Sequence, residues 1–198
     1  MGTEETMRPR LSKSFLPLLV ICAILSPGPA AAAAFDYAHF NKECGLRLAY
    51  GKSTRKADVK LYSLLPRWGI FLVRPGSILA GLGLSLVLEG TFSIAEAEDT
   101  GWELGLVPML KVSLPLGHKA LLFLEGGAGV MLENINTPAV AHTFNFASQI
   151  GGGVDLALTR RWALSLAYRF RHSSNAGIYA ENSSFNVNLF QIGLVYYH

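Results

Sequence analysis

Cysteine is scarce, charge is sparse, and one kind of apolar run is missing after the first few dozen residues. The 198-residue chain has 2 cysteines. Past residue 34 only Cys44 remains, so an intramolecular disulfide is excluded there even in an oxidising compartment, and Cys44 reads as a small apolar filler. No stretch of roughly 18 apolar residues follows that point, which excludes a transmembrane helix. Charged residues make up 16% and the net charge is +3, too close to balance to favour nucleic acid as a partner.

What is present begins with a leader. Arg8, Arg10 and Lys13 precede the apolar run FLPLLVICAIL, a Pro/Gly break and then small residues up to Ala34. That order predicts a cleaved secretory signal peptide over 1–34 and a single domain over 35–198. The apolar run falls short of the roughly 20 residues an anchor helix needs. A lipoprotein signal at Cys22 is disfavoured by Ile21, where a small residue is expected.

Beyond the leader the dominant period is two. Leu104, Leu106, Pro108, Leu110 and Val112 form an apolar row, interleaved with Glu103, Gly105, Lys111 and Ser113. The same parity recurs at 78–88, 122–132, 144–158 and 162–170: even positions are apolar, and odd positions hold the charges and most glycines. Adding 43–51, a poorer strand at 57–71 and 186–198 makes about eight strands. Short connections at 74–77, 115–119 and 158–161 alternate with longer ones near 92–101, 133–142 and 173–185. This pattern predicts an all-β fold, an eight-stranded antiparallel transmembrane (outer-membrane) β-barrel.

The competing arrangement is a soluble lipocalin-like barrel or sandwich with the apolar row inside. It would place Arg47, Glu89, Glu103, Lys111, Glu125, Asp155 and Arg169 in solvent. A small lumen packed with paired charges suits that row better, because an eight-stranded barrel is just wide enough to be filled by side chains. The C-terminal QIGLVYYH resembles the terminal signal of bacterial outer-membrane proteins, with His198 in place of the usual final aromatic.

The stretch RFRHSSNAGI, residues 169–178, carries the candidate chemistry. His172 and Ser174 continue the apolar even row of Trp162, Leu164, Leu166, Tyr168 and Phe170, so both are expected to face lipid at one rim. With the N-terminus on the periplasmic side, that rim is the external one. Extrapolating the last strand's parity back from Phe190 puts Asn186 and Asn188 on the same face. A hydroxyl beside an imidazole, with a third group orienting the ring, is the minimum for acyl transfer to serine. Asn175 and Gly177 lie in a tight turn whose backbone donors suit an oxyanion hole. By the same parity Arg169 and Arg171 fall on the lumen side.

H-x-S-N-A-G at the end of a penultimate strand, followed by an Asn-containing loop and a last strand, resembles the lipid A 3-O-deacylase (PagL-like) family. The likeness implies an outer-membrane serine esterase that removes the ester-linked 3-O acyl chain of lipid A in lipopolysaccharide. Its partners would be that substrate and membrane lipid, it would use no metal or other cofactor, and a homodimer stays open. It also implies Ser174 as nucleophile, His172 as general base, and Asn175 and Gly177 at the oxyanion hole. The family's acidic member falls where this chain has Asn186, and Ser184 stands where the family usually has Gly. Glu181 in the intervening loop is an alternative orienter. A non-catalytic small barrel with a structural or adhesion role is the alternative function.

Overall fold

The computed structural model describes residues 34–54, 58–77, 81–181 and 184–198. The expected leader therefore lies, apart from Ala34, outside the described residues. Eight strands follow a short 3-10 turn at Tyr37–His39: β1 (Lys42–Ser53), β2 (Lys60–Val73), β3 (Gly83–Glu96), β4 (Thr100–Leu116), β5 (Ala120–Asn134), β6 (Phe144–Ala157), β7 (Trp162–Ser174) and β8 (Phe185–Tyr197). Each pairs antiparallel with its sequence neighbours, and β8 closes on β1. Closure leaves no unpaired sheet edge, the condition for a β-structure to sit in hydrocarbon.

Alternation carries around the whole circuit because even residues pair with even residues at each seam, from Lys42↔Ile70 to His172↔Asn186. The register slips between Phe71 and Val73, at the C-terminal end of β2. The even row therefore faces outward everywhere. Leu48, Ile94 and Phe190 are 58%, 61% and 62% exposed, a distribution that only a lipid surround makes favourable. Aromatic side chains gather toward the two ends: Tyr50 with Tyr62 at the end away from the termini, and Trp162 with Tyr196 at the end that holds them.

The odd row fills the lumen with paired charge. Arg47 Nη1 meets Glu125 Oε1 at 2.7 Å, and Arg67 Nη2 meets Glu125 Oε2 at 2.8 Å and Glu43 Oε1 at 3.1 Å. Lys111 Nζ lies 3.0 Å from Glu43 and 3.2 Å from Asp155, whose Oδ2 also accepts from Tyr197 at 2.5 Å. Arg169 bridges Glu89 and Glu125. Glycine makes room for these long side chains: a Cβ on Gly193 would stand 2.9 Å from Arg47 Cγ. Two apolar plugs shut this network from water. Phe35, Phe40, Leu121, Val195 and Tyr197 pack at the end with the termini, and Leu61, Leu65, Ile135, Phe185 and Val187 at the other.

Two expectations need correction. The third strand, expected over 78–88, runs from Gly83 to Glu96; Ile78 and Ala80 lie outside the described residues, and Gly81 sits in the connection with φ +85°. The connection expected near 92–101 shrinks to 97–99, while that between β2 and β3 lengthens to 74–82. The physical reason is that 92–96 keeps the alternation of its strand: Phe92 and Ile94 face out, and Ser93 and Ala95 face in. Ser93 and Glu96 fall within the expected connection, yet they sit on lumen and rim positions of a strand.

Candidate active site

The strand β7 runs apolar on its outer face until Phe170 and then turns polar. His172 and Ser174 are both half-buried on that face. Across the seam to β8 His172 stands opposite Asn186, and its Nδ1 lies 2.7 Å from Asn186 Oδ1. The ring nitrogen donates and the amide oxygen accepts, so Nδ1 carries the proton and Nε2 is left as the basic nitrogen. Across the seam to β6, His172 stands opposite Ser148 and Ser174 opposite Phe146.

Ser174 and His172 line one outer-wall groove of about 350 Å3, together with Ala128, Val130, Phe146 and Ser148. Ser174 Oγ has no hydrogen-bond partner among the described residues, so the hydroxyl and the imidazole share a cleft without being joined. The odd residues interleaved with them point into the lumen and are tied down there. Arg171 Nη2 meets Glu103 Oε1 at 2.5 Å, Ser173 Oγ donates to Glu133 Oε1 at 2.7 Å, and Asn145 Nδ2 donates to Glu133 Oε2 at 2.8 Å. These bonds hold the end of β7 from behind.

The turn after Ser174 is built around Asn175, which is buried. Its Oδ1 accepts the Gly177 N–H at 2.9 Å, and its Nδ2 donates to the Glu181 carbonyl at 2.7 Å. Ala176 and Gly177 adopt φ of +52° and +82°, a left-handed pair that glycine eases at the second position. The Gly177 N–H, expected to face an oxyanion, donates to the Asn175 side chain, and that bond closes the turn. Glu181 is drawn elsewhere as well. Its carboxylate lies 4.0 Å from His142 Nε2, and His142 stacks on Tyr179 at 4.1 Å. The His172 ring is bonded to Asn186, while Glu181 turns toward His142.

Sequence parity brought His172, Ser174 and Asn186 to one face, and the structure has all three there. It missed Ser148, whose signal was available: a polar residue at an even position within an otherwise apolar row. Among the described residues no group of three His, Cys, Asp or Glu side chains is arranged to hold a metal ion.

Comparison with known proteins gives this geometry a setting. No curated protein sequence matches the chain significantly. Among solved structures, the outer membrane enzyme PagL superposes with a TM-score of 0.62 at 18% identity, covering 75% of this chain and 97% of that one. Neisserial surface protein A (NspA) gives 0.55 at 12% identity, covering 81% and 97%. At such identities these likenesses speak for the fold alone. Residues 68–195 match the sequence model of the family described as lipid A 3-O-deacylase (PagL). That span takes in β3 to β7, the Asn175 turn and nearly all of β8, so the chain belongs to the lipid A 3-O-deacylase family and is a bacterial outer-membrane protein.

Proposed function

We propose that this protein is a serine esterase of the outer leaflet that hydrolyses the ester-linked 3-O acyl chain of lipid A, with residues 1–34 removed on export. The observation that carries the reading is the His172–Asn186 bond of 2.7 Å beside a serine hydroxyl in one lipid-facing groove. Family membership supplies the substrate class; the site supplies the means.

In this reading Ser174 attacks the ester carbonyl while His172 Nε2 takes its proton, and the imidazolium then protonates the leaving sugar oxygen, which departs as a hydroxyl. Water, deprotonated by the same nitrogen, releases the fatty acid from the acyl-serine. Asn186 holds the ring in the tautomer that leaves Nε2 basic, but as an amide it gives little charge stabilisation to the imidazolium. Hydrogen bonds between nucleophile and base commonly tighten only when the reactants are engaged, so an open Ser174–His172 pair is compatible with the role. The Asn175 turn lies one residue past the nucleophile and is closed by two side-chain hydrogen bonds, a place that suits donors aimed at a developing oxyanion. Gly177 serves by closing the turn through its N–H bond to the Asn175 side chain.

The test is mass spectrometry of lipid A from cells expressing the protein or its Ser174→Ala variant, with membrane insertion confirmed for both. Loss of the 3-O chain with the intact protein alone is the expected result. Unchanged lipid A in both would overturn the esterase and favour a non-catalytic barrel, the reading that the amide at position 186 favours.

A further inference from the structure

The outward row is apolar along the interior of β1 to β5. On the three neighbouring strands β6, β7 and β8 it holds Ser148, His172, Ser174, Asn186 and Asn188. A polar group placed against hydrocarbon is costly unless it is hydrogen-bonded. Most of this set is accounted for: His172 and Asn186 bond each other, Tyr168 OH donates to Asn188 Oδ1 at 2.7 Å, and Ser174 is the proposed nucleophile. Ser148 is not. Its hydroxyl is exposed, has no partner among the described residues, and lines the same groove as Ser174 and His172.

Position indicates what would meet it. Ser148 stands directly opposite His172, and Ser174 lies one step diagonally across the same seam, opposite Phe146. Diagonal neighbours on one sheet face are about 7–8 Å apart. With a carbonyl carbon in contact with Ser174 Oγ, a hydrogen-bond partner of Ser148 Oγ falls on an atom two or three bonds farther along the acyl chain. The rest of the groove, Ala128, Val130 and Phe146, suits methylenes.

We propose that Ser148 is a specificity residue that binds an oxygen substituent, a hydroxyl or its ester, on the third carbon of the scissile acyl chain. The proposal rests on the esterase reading above. It assigns to β6 the selection of the chain and leaves to β7 and β8 its cleavage.

The test uses the full protein in detergent micelles with two lipid esters of equal chain length, one 3-hydroxyacyl and one unsubstituted. The intact protein is expected to favour the hydroxylated ester about tenfold in kcat/KM, the scale of one hydrogen bond. Ser148→Ala is expected to bring that ratio to about one, and Ser148→Thr, which keeps a hydroxyl, to preserve it. A ratio unchanged by Ser148→Ala, whether both rates fall together or neither does, overturns the proposal. Binding of the two lipids to Ser174→Ala separates this outcome from failure of the esterase reading. If the intact protein cleaves neither ester, that reading falls, and the binding ratio alone decides. A preference of about tenfold that disappears in the Ser148→Ala, Ser174→Ala double variant supports the site, and equal binding of both lipids refutes it.

Discussion

Replacing Asn186 by Glu would put a carboxylate where an amide oxygen now accepts the His172 N–H. A carboxylate keeps the tautomer and also stabilises the imidazolium, and the reverse change in a serine protease triad costs about 10⁴ in rate. Asn186→Glu is therefore expected to raise kcat for ester hydrolysis, by no more than about 10⁴. Asn186→Ala should lower it by releasing the ring. Single-turnover rates on a lipid ester measure both, and a glutamate variant no faster than the parent would mean that ring charge does not limit the reaction. At this scale His172, Ser174 and Asn186 were legible because strand side chains repeat every two residues, so one parity assigns a face to each. The engagement of Gly177 by Asn175 was not legible. An Asx turn and an open amide have the same letters, and the side chain's choice depends on how deeply the turn folds Asn175 under the Glu181 carbonyl.

Among the strands, the lumen charges determine how firmly the barrel holds together. Glu125 on β5 meets Arg47 on β1, Arg67 on β2 and Arg169 on β7, and so ties four strands through one carboxylate. Glu125→Ala would leave the Arg47 guanidinium buried without a carboxylate partner, and Arg67 and Arg169 with one fewer, at a cost of about 3–5 kcal/mol. A lower urea midpoint for the folded barrel in lipid vesicles is the expected reading, and an unchanged midpoint would mean that water enters the lumen. The N-terminal turn gives an independent check. Tyr37 OH donates to the Gly117 carbonyl at 2.7 Å, and burial pushes its phenol up to about 12. A group with a folded pKa above its unfolded value near 10 stabilises the fold fully below pH 10 and loses that contribution as the pH climbs toward 12. Stability should thus fall over that window in the parent and fall less in Tyr37→Phe, followed by unfolding at stepped alkaline pH. The odd row as a charged lumen was readable from Arg47, Lys111, Glu125, Asp155 and Arg169. Which charge meets which was not, because pairing depends on the stagger between strands.

As a whole molecule the barrel is a solid post rather than a pipe. Ion pairs fill its middle and apolar side chains shut both ends, with Phe40 and Tyr197 stacked at 4.3 Å on one of them. Reconstituted into a planar bilayer, the protein is expected to give no stepwise ion conductance; defined current steps would show that the charged layer opens. The number of strands and their closure were legible from repeating alternation and turn signals. The limits of β3 were not, since 78–88 and 83–96 share the same parity and hydropathy cannot tell which portion the sheet captures. The evenness of the seams, up to the slip past Phe71, has a further consequence, for how such a chain can change over generations. Its loops can gain or lose residues singly, but its strands behave like a reading frame of two. Deleting one residue such as Leu166 would carry Arg169 and Arg171 out toward lipid and swing His172 and Ser174 into the core, whereas deleting a pair would shift them along the wall and leave inside and outside as they were.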